Sequence, residues 1–212
     1  MASTTSLRRR PVQQRSAQRF ERMLDACAEL IDELGYDGVT TTLIAERAEV
    51  AVGSLYQFFP DKRAVVRALT ERNLERFMAG VLARLEEAEL TEWWDAADVV
   101  FDVYVQLFRE IRGFSQIRFG DIVDMRLMDD ERDNNTVIAD RLADLITDRF
   151  GVTSDEIRLP LAVAVECADG ILNLAFRRKL YDVDTVVAEA RKIVRGYLSG
   201  KLDQPKDLPS PR

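Results

Sequence analysis

Residues 40–62 read Thr-Thr-Thr-Leu-Ile-Ala-Glu-Arg-Ala-Glu-Val-Ala-Val-Gly-Ser-Leu-Tyr-Gln-Phe-Phe-Pro-Asp-Lys. Thr40 precedes a short apolar pattern, Leu43, Ile44 and Ala48, so its hydroxyl is placed to cap the orphan N–H groups of a helix ending near Ala48. The span 49–52 is too short for a loop. The next apolar set is Leu55, Phe58 and Phe59, stopped by Pro60. Two short helices joined by so tight a turn form a helix-turn-helix. The second helix opens on small residues, Gly53 and Ser54, and continues with hydrogen-bonding side chains, Tyr56 and Gln57, which suits close approach to a DNA backbone. Asp61 is placed to cap a long third helix whose first turn carries Lys62, so a dipole end and a cation face the same way.

The ordered set Thr-x-x-x-Ile-Ala-x-x-Ala-x-Val-x-x-Gly-Ser-Leu-Tyr-x-x-Phe-Pro-x-Lys resembles the N-terminal domain of TetR-family transcriptional regulators. The likeness covers about residues 16–70; beyond them the chain resembles the family in length and helical layout. It implies an all-α protein, with an N-terminal three-helix helix-turn-helix DNA-binding domain and a larger C-terminal helical ligand-binding and dimerisation domain. Carried over residue by residue, it implies that Thr41, Thr42, Ser54, Tyr56 and Lys62 hold phosphates, while Val52, Gly53, Gln57 and Phe58 face the major groove. Gln57 is the candidate for base reading, since its amide pairs with adenine N6 and N7. For Phe58, core packing and contact with a thymine methyl are equal alternatives; Leu55 and Phe59 belong to the core. Two turn positions depart from the family pattern. Glu49 stands where glycine is common, and is expected at positive φ at some cost. Ala51 stands where serine or threonine is common, and has no side chain with which to cap the second helix.

Hydrophobic residues at 47% and charged residues at 32% are those of a globular protein, and a chain of 212 residues buries a sizeable core. A net charge of −7 argues at first against nucleic acid. Its distribution argues otherwise: residues 1–72 hold 11 Lys/Arg against 10 Asp/Glu, and residues 73–212 hold 19 against 27. Arg8, Arg9, Arg10, Arg15, Arg19 and Arg22 precede the motif with Glu21 as the single acid among the first 22 residues, a cationic arm on an acidic body.

The expected domains are a disordered basic arm at 1–15, the helix-turn-helix domain at 16–62 sharing the long helix from about 61, the helical ligand-binding and dimerisation domain at 63–202, and a flexible tail at 203–212. Helix one is expected from Ser16 to Leu34, with Phe20, Leu24, Cys27, Ala28, Ile31 and Leu34 on its buried stripe and Gly35 as its stop. The helix from Asp61 should run to about Glu89, and the next should start at Thr91.

Trp94, Phe101, Tyr104 and Phe108 form an aromatic stripe which, with Phe119, Met125 and Asn173, is the candidate lining of a small-molecule pocket. Plain core packing explains such a stripe equally well. The segment Leu159–Phe176 is apolar nearly all round, so it must be covered on several sides. The resemblance implies that it and the last helix form a four-helix bundle with a second subunit, through Leu161, Val165, Leu172, Val187, Ala190, Val194 and Tyr197. Ile193 joins the apolar stripe of the last helix. Glu166 and Asp169 are assigned to that seam or to a solvated edge.

The chain has no histidine and only Cys27 and Cys167, so no Cys/His zinc site can be built and a disulfide framework is not expected. The run Asp129–Asn135 carries oxygens at alternate positions but lacks the glycine a calcium loop needs, and reads as a solvated loop. No metal and no cofactor is expected. Without histidine, without a glycine-rich phosphate loop and without a strand, no constellation supports an enzyme. No apolar run of about 18 residues is present, so no membrane span and a cytoplasmic location are expected.

The resulting expectation is a homodimeric regulator, most simply a repressor, that binds a palindromic operator in double-stranded DNA and is released by a small-molecule effector. The alternative is a helical ligand-binding or interaction protein whose DNA binding has lapsed.

Overall fold

The computed structural model describes residues 14–89, 91–112, 134–150, 154–177 and 181–202. Among them are eight helices and no strand: α1 Gln14–Gly38, α2 Thr41–Arg47, α3 Val52–Phe58, α4 Lys62–Glu87, α5 Trp93–Glu110, α6 Asn134–Phe150, α7 Ser154–Arg177 and α8 Val183–Leu202. The all-α reading holds. Residues 1–13 of the basic arm, the tail from 203, the acidic run 129–133, Phe119 and Met125 lie outside the described residues.

Helix α1 breaks where its glycine requires. Gly35 takes φ 69°, a left-handed value that costs glycine little, and the chain turns there toward α2. Gly38 then passes so close over Leu34 that a Cβ at this position would lie 2.9 Å from the Leu34 Cβ. Leu34 itself, expected on the buried stripe, is 50% exposed on the last turn before the break.

Two hydrophobic clusters organise the chain. The first joins Leu24, Cys27 and Ile31 of α1 to Ile44, Leu55, Phe59, Val65 and Leu69. The second gathers Leu74, Phe77, Val81 and Leu85 of α4 with residues of α5 to α8. Helix α4 therefore contributes to both, as its expected length from Asp61 to the high eighties requires. Between the clusters lie Thr70 and Asn73, each 1% exposed. Thr70 donates its hydroxyl to the Val66 carbonyl (3.0 Å), whereas neither amide atom of Asn73 has a hydrogen-bond partner. Arg72 ties the same turn to α1 through Glu21 (2.9 Å) and Asp25 (2.8 Å).

Helix α5 starts at Trp93, two residues later than expected. The Asp95 carboxylate folds back to accept from the backbone N–H groups of Thr91 (2.8 Å) and Glu92 (3.0 Å) and from the Thr91 hydroxyl (2.9 Å). Thr91 is thereby part of the cap and not of the helix.

Candidate functional site

The turn between α2 and α3 is built by backbone hydrogen bonds. Thr40 accepts from the Leu43 N–H (3.2 Å), which fixes the start of α2. At the other end the Val50 N–H reaches the Ala45 carbonyl (2.9 Å) and the Glu49 N–H the Glu46 carbonyl (3.1 Å). That pair of bonds is a Schellman termination, which demands a left-handed residue at Glu49. Glu49 has φ 55°, the expected positive value, held by these two bonds although the residue is not glycine. Ala51 follows as the N-cap of α3 and supplies no side-chain bond, also as expected.

Helix α3 has one face fixed and one free of the core. Leu55 and Phe59 are fully buried, and Phe58 is 6% exposed, edge-on to Phe20 at 6.0 Å between ring centres. Phe58 is therefore a core residue, and its assignment to the major groove is corrected: at i+3 from Leu55 it falls on the same side of the helix. Gly53, Tyr56 and Gln57 are exposed, with Val52 and Ser54 half-buried at the start of the helix. A Cβ on Gly53 would meet nothing within 4 Å. On α2, Thr42 is exposed and Thr41 half-buried. The hydroxyls of Thr41 and Tyr56 share a hydrogen bond of 3.0 Å, joining two side chains assigned from the sequence to one role.

Lys62 does more than stand at a helix start. Its ammonium donates to the Tyr36 carbonyl at 3.0 Å and sits 4.3 Å from the centre of the Tyr36 ring, while Asp61 caps α4 through the Ala64 N–H (2.9 Å). Arg47, in contrast, is turned back onto α1. It forms two bonds to Glu33 (2.9 and 2.8 Å) and one to Glu29 (3.2 Å), setting the angle of α2 on α1, and its hydrogen bonds hold the Glu33 carboxyl below the usual carboxylate range. Arg15, Arg19 and Arg22 are exposed on the first turns of α1.

A second candidate lies in the C-terminal cluster. A cavity of about 100 Å³, partly open to solvent, lies among α4 to α8, with Phe77, Trp93, Phe101 and Tyr104 on the α4–α5 side and Ile138, Leu142, Leu161 and Leu172 among the aliphatic residues of α6 and α7. Phe101 and Tyr104 line it, as the aromatic stripe predicts. Trp94 does not: it lies beneath the Arg195 guanidinium (5.0 Å), and its neighbour Trp93 reaches the cavity in its place. Phe108 is half-buried against the core without lining the cavity. The Asn173 side chain is outside the described residues.

The partner-facing residues require the largest correction. Leu161, Val165, Leu172 and Val194 line the cavity of their own chain, and Val187 and Ala190 are buried within it; Tyr197 is half-buried. Asp169, assigned to a seam or a solvated edge, is 8% exposed and lines the same cavity. The outward stripe is a different set. Leu159 is 72% exposed, Leu174 40% and Ile193 50%, with Cys167, Gly170 and Gly196 exposed between them. The sequence places Ile193 on the apolar stripe of the last helix without marking it as partner-facing, and counts Asn135 in a solvated loop; Asn135 is instead 3% exposed, lines the cavity and donates to Glu166 at 3.1 Å.

Among the described residues, no helix is long and apolar enough to cross a membrane.

Comparison with known proteins agrees with this layout. Residues 23–69 match the family model described as bacterial regulatory proteins, tetR family, and residues 91–202, more than half of the chain, match the tetracyclin repressor-like C-terminal domain. The HTH-type transcriptional repressor KstR of Rhodococcus jostii is 42% identical over 59 residues, 28% of each chain. The HTH-type transcriptional regulator YvdT of Bacillus subtilis is 30% identical over 84 residues, 40% of this chain and 42% of that one. The chain thus covers less than half the length of these curated relatives. Among solved structures, a TetR-family transcriptional regulator from Streptomyces coelicolor superposes with a TM-score of 0.73 at 39% identity, covering 87% of this chain and 99% of that one. The fatty acid degradation regulator FadR of Bacillus halodurans shares the fold, with a TM-score of 0.64 at 18% identity over 83% of this chain and 94% of its own. With a helix-turn-helix in the first cluster, a C-terminal helical body matched by its own family model, and a relative at 39% identity over nearly its full length, the chain belongs to the TetR family of transcriptional regulators.

Proposed function

We propose that this regulator binds a palindromic operator as a homodimer and represses transcription until a small-molecule effector enters the C-terminal cavity. The observation that carries the reading is the two-sided α3: Leu55, Phe58 and Phe59 lock one face into the core, leaving Gly53, Tyr56 and Gln57 exposed on the other. Gln57 and Gly53, with Val52, are assigned to base edges in the major groove. Thr41, Thr42, Ser54, Tyr56 and Lys62 are assigned to phosphates. The arm at residues 1–15 adds cations that the motif itself lacks, since Arg47 is held by Glu29 and Glu33.

Residues 16–62 with the start of α4 are taken as the DNA-binding unit, and 63–202 as the effector and dimerisation unit. Two-fold pairing through the outward stripe of α7 and α8 is assigned to set the two α3 helices about one duplex turn, ~34 Å, apart. Helix α4 links the units: Phe77 and Leu85 line the cavity, while Val65 and Leu69 lie in the first cluster. A ligand shifts such a two-state arrangement by no more than its difference in affinity for the two states.

Selection of bound sequences from random DNA, followed by gel shift at increasing salt, tests the proposal. A palindromic site with steep salt dependence is expected, and Lys62→Ala should lower the slope of log K against log salt by about 1. Deleting residues 1–15 should weaken binding to every sequence. Failure to select any site would leave the alternative, a helical ligand-binding protein with lapsed DNA binding.

A further inference from the structure

The amide and the carboxylate that line the cavity come from α6 and α7, whereas the Tyr104 hydroxyl and the Trp93 indole come from α5. Asp169 of α7 and Asn135 at the start of α6 both line it while nearly buried, at 8% and 3% exposure. Asn135 gives its amide nitrogen to Glu166, one turn before Asp169 on the same helix (3.1 Å). That bond leaves the Asn135 carbonyl oxygen as an acceptor. A carboxylate offers about four lone-pair sites, so Asp169 can hold a partner within the protein and still receive a donor from a ligand. Across the cavity stand the rings of Phe77, Trp93 and Phe101. No lysine or arginine is among the described lining residues. Two guanidinium groups of α7 and α8 are engaged with carboxylates, Arg158 with Asp140 and Asp144, and Arg191 with Asp98 and Asp102.

From this arrangement we infer that the effector is an apolar molecule carrying one hydrogen-bond-donating end, an alcohol or a protonated amine, which seats on Asp169 and the Asn135 carbonyl. A carboxylate-ended ligand is rejected. The apolar body fills the aromatic and aliphatic walls, and the donor satisfies acceptors that lie in a place poor in water. A ligand carboxylate would bring a second negative charge to Asp169, with no lysine or arginine among the described lining residues to offset it. The inference rests on the cavity being the effector site proposed above.

The experiment uses the full-length protein and three probes of equal chain length, 1-octanol, octylamine and octanoate, at neutral pH. Binding is read by calorimetry and by the shift in melting temperature. Octanol and octylamine should bind at least about tenfold more tightly than octanoate. Asp169→Asn, nearly unchanged in shape and still an acceptor, should lower octylamine affinity about tenfold while leaving octanol within about threefold. Should that variant fail to fold, Asn135→Leu replaces it and is expected to weaken octanol and octylamine alike. Octanoate binding as tightly as octanol would overturn the inferred head group and leave the effector cavity standing. Binding of none of the three by folded protein would overturn the cavity reading itself.

Discussion

The Lys62 ammonium lies 3.0 Å from the carbonyl oxygen of Tyr36 and 4.3 Å from the centre of the same residue's ring, tying the first turn of α4 to the end of α1. A residue assigned from the sequence to phosphate contact is thus also a structural clasp between elements 26 residues apart. The Tyr36 carbonyl lies just past the break at Gly35 and also accepts from the Val39 N–H (3.3 Å), so the Lys62 ammonium takes its second lone pair. Lys62→Ala should lower stability by about 1–2 kcal/mol in urea denaturation, less than a fully desolvated charge-assisted hydrogen bond and cation–π contact would together contribute, because Lys62 is only half-buried. Lys62→Met, which keeps the stem over the ring, should recover part of that loss without restoring operator binding. Equal stability of wild type and Lys62→Ala would show that the clasp contributes nothing.

The turn between α2 and α3 holds two local costs that substitution can remove. Glu49 stands at φ 55° because the Schellman bonds require it, and glycine adopts that value without its Cβ penalty. Glu49→Gly is expected to stabilise by about 0.5–1 kcal/mol after the greater chain entropy of glycine is counted. Ala51 gives α3 no side-chain cap, so Ala51→Ser should add about 1 kcal/mol. The two effects act on adjacent elements and are measured singly and together by thermal melts. A loss of stability with Glu49→Gly would mean that the glutamate side chain contributes more than its backbone costs.

These turn features were legible because they are local: a Thr cap, a left-handed position and an uncapped start depend on a handful of neighbouring residues. So was part of the core face of α3: Leu55 and Phe59 read as core, whereas the sequence leaves Phe58 between core and groove and only its burial places it beside them. The C-terminal body was harder to read. Helix α7 has apolar side chains nearly all round, so its sequence does not distinguish the face toward its own cavity (Leu161, Leu172) from the face away from it (Leu159, Leu174). Only the packing of α6 and α8 against it makes that distinction. Trp93 and Trp94 show the same difficulty at the scale of one residue, for it is Arg195, a hundred positions away on α8, that covers Trp94 and leaves Trp93 to the cavity. Lys62 is legible as a helix-start cation, but its meeting with Tyr36 depends on how α1 and α4 cross.

Asn73 offers an unusual gain. Its amide is buried in α4 between the two hydrophobic clusters with neither atom hydrogen-bonded, and an unmet polar group of this kind costs about 1–3 kcal/mol. Leucine branches at the same carbon, so Asn73→Leu removes the unmet group with little change of shape. We expect it to stabilise the protein by about 1 kcal/mol, against the usual direction of substitutions at buried sites. A destabilisation larger than that in urea denaturation would show that the amide is satisfied in solution.

Part of the acid sensitivity should come from carboxylates that cap helices. Asp95 is held below its usual 3.8 by the backbone N–H groups of Glu92 and Thr91 and by the Thr91 hydroxyl, and Asp182 by the backbone and hydroxyl of Thr185. A carboxyl whose pKa is lower folded than unfolded stabilises the fold above its unfolded pKa, and that contribution fades as pH falls through the folded value. Melting temperature should therefore be insensitive to these groups above about pH 5 and decline below about pH 4. Asp95→Asn should lower it at neutral pH and flatten the acid decline. An unchanged slope between the variants would remove Asp95 from the account.

The two cysteines report on the proposed subunit seam. Cys27 is fully buried, and burial pushes its thiol up to about 12, so almost no thiolate exists there at pH 8. Cys167 lies exposed on the outward stripe of α7, between Leu159 and Leu174 and beside Gly170. If that stripe is the dimer seam, Cys167 is covered in the dimer and open in the monomer, while Cys27 stays silent in both. Ile193→Asp sets a charge on the matching stripe of α8, and burying it against an apolar partner face should shift the chain to monomer in sedimentation. In the same variant one thiol, at Cys167, should then react quickly with an aromatic disulfide reagent, whereas the concentrated wild type should react slowly. Rapid labelling of Cys167 in a protein that sediments as a dimer would place the seam elsewhere on the molecule.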